Sequence, residues 1–374
     1  MLACASYADI VYTTSNGKMG FIGISSISDT LSADSPVVKY SDAADDSIVA
    51  HYYNEDGTSF VALIEPETDP SIKSGDFAFI FNVSDLTKPV DDGVSILTGT
   101  YDARSAAYSD NHRGLFLASG LNGEATISEY DTEGLQKVRS ISYISSNDAM
   151  NMSTVLVNGS SIYGLVSRAT SEDSLLLRFD GQLDNEVRGY SETKVRYDSE
   201  LMTFGKDNRI FIAHSGGVDT FANGLSSSEL VLVVSTDTPV KALCKDNDSG
   251  FYFMAQSPET GEQALVHYKS SSEVNEVDFG YTESFVSKAM YYDSDNKKFV
   301  AAIINDGIAI YDPDTDAPIA EFTRDQLGGI PISMTAVTQN TGSTKGNSSS
   351  GRNVTGSGML MILSAGYMLL RKRK

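Results

Sequence analysis

A short apolar stretch, a tight turn rich in Asp, Asn and Gly, and a second, more apolar stretch recur along this 374-residue chain at 47–64, 105–119, 153–167, 201–215, 241–256 and 286–303. Each instance reads as a β-hairpin, because Asn-Gly, Asp-Gly and Asp-Asn turns accept the positive φ that tight connections require. The first apolar residue of the second stretch falls at Phe60, Leu115, Ile162, Ile210, Phe251 and Phe299, at spacings of 55, 47, 48, 41 and 48. After the hairpins come a third strand and a polar turn, such as 81–90 or 309–322, and then an outer strand. Units of this size bury their faces only by stacking on their copies.

A period near 48 with four short strands per unit predicts an all-β chain folded as a β-propeller. The ends set the expected blade count. The stretch from Ala8 begins directly at a second-strand pattern, with Ile10 in the marker position 50 residues before Phe60, and 331–340 is a first-strand pattern with no hairpin after it. The C-terminal strand is therefore expected to complete the N-terminal blade, giving seven blades and leaving no sheet edge open. Helical periodicity is nowhere sustained, and a β-sandwich array or β-solenoid leaves the missing and the spare strand unexplained. The turns at 81–90 and 309–322 resemble the outer-hairpin turns of YVTN-like and LVIVD-type propeller repeats, which supports the architecture and nothing finer.

The predicted folded unit is 9–340, and both ends beyond it change character. From Gln339 to Gly358, 16 of 20 residues are Gly, Ser, Thr or Asn. Such a segment buries no apolar surface, so 341–358 reads as a flexible linker spanning roughly 25 Å. The tail 359–374 joins twelve mostly apolar residues, Met359–Leu370, to Arg371, Lys372, Arg373 and Lys374. As a helix the apolar run rises about 18 Å, short of a bilayer core. With Gly356, Ser357 and Gly358 ahead of it, this tail resembles bacterial C-terminal sorting signals of the GlyGly type processed by rhombosortases, although Gly-Ser-Gly stands where that family has a Gly-Gly pair. No LPxTG motif is present, and a GPI signal would end in apolar rather than basic residues. The resemblance implies an extracytoplasmic protein, secreted or held at a bacterial surface, whose membrane contact is confined to a processed tail. Residues 1–8 look like the end of a secretory signal peptide, with small residues at Ala3-Cys4-Ala5 and Ser6-Tyr7-Ala8. A faint lipobox-like reading ends at Cys4.

Charge narrows the partners: 28 Lys+Arg against 50 Asp+Glu give a net −22, which repels nucleic acid and keeps an exported protein soluble. Two cysteines, Cys4 and Cys244, make no disulfide framework or zinc site. His51, His112, His214 and His267 lie too far apart for HxH or HExxH metal motifs and read as packing or surface residues. Asp246–Gly250 and Asp312–Asp316 resemble the front of a calcium loop, but Ser257 and Thr323 stand where the closing Glu belongs. Turn chemistry accounts for both.

One pattern points to a ligand. Asp46, Asp102, Asp148 and Asp198 each precede the first strand of a successive repeat, positions that would rim one mouth of a propeller's channel, and Arg104 and Glu283 would complete the rim. Converging carboxylates attract a divalent or cationic ligand and raise one another's pKa. The structural alternative is that Asp favours the turn entering a strand. The expected function is a monomeric, surface-tethered module that binds a protein, a glycan or a small ligand, with no obligatory cofactor and calcium as a weak candidate. The alternative is an exported propeller enzyme, lactonase- or lyase-like, holding a metal at the channel mouth. Propellers host unrelated chemistries, so the fold does not choose between them.

Overall fold

A computed structural model of the chain describes residues 10–14, 18–22, 38–39, 47–53, 59–65, 77–82, 90–96, 103–109, 114–121, 124–131, 136–144, 150–168, 173–180, 190–205, 208–225, 229–246, 250–256, 263–278, 288–294, 297–304, 307–312, 314–315 and 317–336. Strands dominate. In chain order they are β1 (Ile10–Thr14), β2 (Lys18–Ile22), β3 (Val38–Lys39), β4 (Ser47–Tyr53), β5 (Ser59–Glu65), β6 (Phe77–Asn82) and β7 (Val90–Ile96). Then come β8 (Ala103–Ser109), β9 (Gly114–Leu121), β10 (Glu124–Asp131), β11 (Lys137–Ile144), β12 (Met150–Asn158), β13 (Ser161–Arg168), β14 (Ser174–Asp180) and β15 (Tyr190–Val195). The remainder are β16 (Leu201–Phe204), β17 (Ile210–His214), β18 (Gly217–Leu225), β19 (Leu230–Ser235), β20 (Ala242–Lys245), β21 (Phe251–Gln256), β22 (Gln263–Ser270), β23 (Glu273–Asp278), β24 (Lys288–Ser294), β25 (Lys297–Ile304), β26 (Gly307–Asp312), β27 (Ala317–Phe322) and β28 (Pro331–Ala336). A single helical turn, α1 (Arg324–Leu327), precedes β28.

These strands form seven four-stranded antiparallel sheets. Six take four consecutive strands in order, from β4–β7 to β24–β27; the first sheet has the order β28-β1-β2-β3. Pro331–Ala336 thus lies antiparallel to Ile10–Thr14, with Ile10 opposite Ala336 and Tyr12 opposite Met334. Both ends of the described chain meet in one sheet. The first strands also neighbour one another in series, β28 beside β4, β4 beside β8, and so on to β24, which lies beside β28.

The marker residues of the repeat explain why stacking works. Leu115, Ile162, Ile210, Phe251 and Phe299 all lie within the first three residues of second strands and are buried. Each core cluster draws on adjoining sheets: one joins Phe116 and Ile127 of the β8–β11 sheet to Val155, Ile162 and Leu177 of the β12–β15 sheet. Another joins Phe211 to Phe251, whose rings lie 4.5 Å apart. With no Trp in the chain, Phe and Tyr fill the space between sheets.

A third cluster fixes the chain ends. Tyr12 is buried, and its hydroxyl donates to the Leu327 carbonyl at 3.1 Å. Burial pushes the phenol up to about 12. Opposite it Gly20 is obligatory, because a Cβ there would lie 2.2 Å from the Tyr12 ring. Helix α1 supplies the acceptor: the Gln326 side chain takes the Thr323 N–H at 2.9 Å, and Gly328, at φ 75°, ends the turn with Leu327 buried beneath the first sheet.

Candidate functional site

Antiparallel order within each sheet puts two kinds of connection at one end: the link entering the first strand and the turn between the second and third. The first–second and third–fourth turns emerge at the other end. Asp46, Asp102, Asp148 and Asp198 precede β4, β8, β12 and β16, so the sequence places them on links of the first kind. Of these, Asp198 lies within the described residues. It occupies a turn closed by Ser199 N–H to the Arg196 carbonyl at 3.3 Å and holds φ 60°, a left-handed conformation that Asp tolerates better than most residues. Asp46, Asp102, Asp148 and Glu283 lie outside the described residues, as do residues 1–8, Gly356, Ser357, Gly358, Arg371, Lys372, Arg373 and Lys374.

Arg104 has a backbone assignment, and it is an unusual one. Ala103 pairs with Ser119 and Ser105 with Ala118, so Arg104 is the extra residue of a β-bulge. The same happens near the start of β4, where Val49 is skipped, and of β12, where Ser153 is skipped. In β28 Ile332 is the extra residue. Four adjacent first strands thus bulge near one end, the end that carries the acidic links. In β16, β20 and β24 the pairing with the second strand runs without a shift. A bulge bends its strand and redirects side chains, and bulges concentrate at rims and binding sites. At Ser153 the broken ladder is repaired locally, the hydroxyl donating to the Leu165 carbonyl at 3.1 Å.

Hydroxyls also lock neighbouring sheets at this end. Thr154 Oγ1 donates to the Glu200 carbonyl at 2.7 Å, Ser167 Oγ to the Ser199 carbonyl at 2.8 Å, and Ser105 Oγ accepts the Val155 N–H at 3.1 Å. The link carrying Asp198 is therefore held by the preceding sheet.

Two histidines are buried against carboxylates. His214 ends β17 and lies 3.6 Å through Nε2 from Asp219 Oδ2 on β18. Arg196 Nε donates to the same oxygen at 2.5 Å. Burial by itself would raise the Asp219 carboxyl, but the facing His214 N–H and the Arg196 guanidinium hold it, on balance, below the usual carboxylate range. His267, on β22, contacts Asp246 Oδ2 at 3.0 Å and stacks on Tyr252 with ring centroids 3.9 Å apart. Asp246 Oδ1 accepts the Gly250 N–H at 2.9 Å, so this carboxylate serves its own hairpin turn. Asp312 likewise accepts the Asp314 N–H at 2.8 Å. Among the described residues no three His, Cys, Asp or Glu side chains converge as metal ligands, and no helix is long and apolar enough to cross a membrane. Cys244 is buried on β20.

The sequence reading missed both His–Asp pairs, because each joins segments whose register only the folded sheet fixes. It missed α1 too, although Thr323 with Gln326 three residues on and Gly328 after the turn is a legible start-and-stop signal.

The chain has a β-propeller-type fold. No family model and no curated protein matches the sequence, but solved structures do. The periplasmic gluconolactonase of Pseudomonas aeruginosa superposes with a TM-score of 0.60 at 13% identity, covering 88% of this chain and 99% of its own. A putative 6-phosphogluconolactonase from Bacteroides uniformis gives 0.61 at 13% identity, over 89% and 100%. A functionally unknown protein from Desulfotomaculum acetoxidans gives 0.59 at 13%, over 87% and 98%. At such identities the likeness is one of fold.

Proposed function

We propose that this chain is a seven-bladed propeller closed by β28, exported and displayed outside the cytoplasm, which binds a protein, glycan or small ligand at one channel mouth as a monomer. In this reading 1–8 is the remnant of a leader, 9–340 the propeller, 341–358 a tether and 359–374 the sorting tail, cut at or near Gly356–Gly358. The returning series of first strands supports the closed ring. The observation that carries the binding role is the run of bulges at Ile332, Val49, Arg104 and Ser153, which sits at the same end as the links bearing Asp46, Asp102, Asp148 and Asp198. A ring held only for stability has no need to distort four adjacent inner strands at one rim.

The rim's carboxylates suit a cationic or polyhydroxyl ligand, with Arg104 and Glu283 adding one charge of each sign. Titration calorimetry with Ca²⁺ on the wild type, Asp102→Asn and Asp148→Asn tests the acidic rim: the wild type should release binding heat and both variants should lose it. Absence of heat in all three removes the cation-binding version. A second reading, a lactone-hydrolysing enzyme with a metal at the rim, draws support from the solved structures named as lactonases. Turnover of glucono-lactone by purified protein, abolished by chelation, would select it over the binding module.

A further inference from the structure

We propose that the gap between His214 and Asp219 is a built site for a single hydroxyl group. The ring's hydrogen bond selects its tautomer: Gly216 N–H donates to Nδ1 at 3.1 Å, so Nδ1 is the acceptor and the ring's N–H lies at Nε2. That N–H faces Asp219 Oδ2 at 3.6 Å, beyond hydrogen-bond reach, and Oδ2 is already taken by Arg196. His214 Nε2 and Asp219 Oδ1 are both buried with no hydrogen-bond partner in the chain. His214 is 7% exposed and Asp219 1%. A donor and an acceptor, each more than nine-tenths buried, are thus left unsatisfied on facing side chains, an arrangement costing on the order of 1–3 kcal/mol per group unless something pairs them.

The chemistry of the pair selects the occupant. A metal cation would need the Nε2 lone pair, which moves the ring proton to Nδ1 and breaks the bond from Gly216 N–H, and an anion is repelled by the Asp219 carboxylate. A carbonyl accepts without donating, and an ammonium donates without accepting. A hydroxyl accepts from Nε2–H and donates to Oδ1, satisfying both. Arg196, about half exposed, covers the pair from the link before β16, and its guanidinium is the side chain that a larger guest has to move. Water and the hydroxyl of a small alcohol share this chemistry. The site belongs to the wall of the β16–β19 sheet and stands whether or not the channel mouth binds anything.

The test is a crystal structure of the full chain grown without polyols, compared with a crystal soaked in glycerol, at a resolution that shows ordered waters. An oxygen within hydrogen-bond distance of both His214 Nε2 and Asp219 Oδ1 in each crystal establishes the site with water as occupant. Its replacement by a glycerol oxygen establishes an alcohol-accepting site. Absence of any oxygen, with His214 Nε2 bonded directly to Asp219, overturns the proposal. Nitrogen-15 spectra of the histidines give an independent reading in solution: the proton is expected on Nε2, and a proton on Nδ1 instead overturns the proposal. In Asp219→Asn the Nε2–H should exchange at least about tenfold faster; if that variant fails to fold, the wild-type crystals and spectra still decide.

Discussion

Tyr12 and Asp219 show what single residues contribute through their protons. The Tyr12 phenol titrates near 12 in the folded protein against about 10 in an unfolded chain, so its contribution is complete below pH 10 and disappears as the pH rises from 10 to 12. Tyr12→Phe removes the bond to Leu327, and urea unfolding at neutral pH should record a loss of about 1–2 kcal/mol. The same variant should unfold less steeply with rising alkalinity than the wild type. For Asp219 the sign is opposite: a carboxyl held below its ordinary value stabilises above pH ~4 and loses that contribution as acid takes the pH through its folded value. Asp219→Asn should flatten that part of an acid-unfolding curve, followed by circular dichroism. Neither residue announces itself in the sequence, since Tyr12 reads as an ordinary strand residue and Asp219 as one of many acidic ones. Their roles depend on what the folded chain puts against them, 315 residues away for Tyr12.

At the scale of elements, second strands were the easiest to read and outer strands the hardest. Hairpins such as β20–β21 combine an apolar run with an Asp- and Asn-rich turn, and both signals are local. Phe251 illustrates the strength of the apolar one: fully buried, it touches Phe211 of the preceding sheet and stacks on Tyr268 of its own. Phe251→Ala should lose about 3–5 kcal/mol in chemical denaturation. Outer strands such as β19, with Val231 and Leu232 exposed, or the two-residue β3, carry weaker patterns because one edge meets solvent. The bulges were illegible for a related reason: an extra residue has no signature until its partner strand fixes the register. Turn geometry can be tested where it is tightest. Gly217 opens β18 at φ 141°, and a Cβ there would lie 2.0 Å from the Val234 carbonyl oxygen. Gly217→Ala should lower the melting temperature by several degrees and shift the His214 resonances, while Ser215→Ala, at an exposed position of the same turn, should do neither.

For the whole molecule, the missing strand at one end of the repeat and the spare at the other could be counted in the sequence, and β28 lies against β1. The proposed acidic rim rests on sequence spacing alone, since Asp46, Asp102, Asp148 and Glu283 lie outside the described residues and a site made by links from separate sheets needs coordinates for all of them. Ending the chain at Ile330 strips β1 of one of its two partners, and such a truncation should unfold at lower urea than the full chain or aggregate through the uncovered edge, as size-exclusion chromatography would report. A net charge of −22 acts in the other direction, spreading the protein by self-repulsion. Raising salt from about 10 to 150 mM shortens the Debye length from roughly 30 to 8 Å and should raise the melting temperature.

That β1 must wait for β28 also sets a schedule for synthesis. A ribosome has delivered Ile10–Thr14 more than three hundred residues before Pro331 emerges, so throughout that interval the nascent chain presents a strand with β2 on one side and nothing yet made for the other. The first sheet is thereby left without its innermost strand until Ala336 has been made, and that edge of β1 is open to other chains in the meantime.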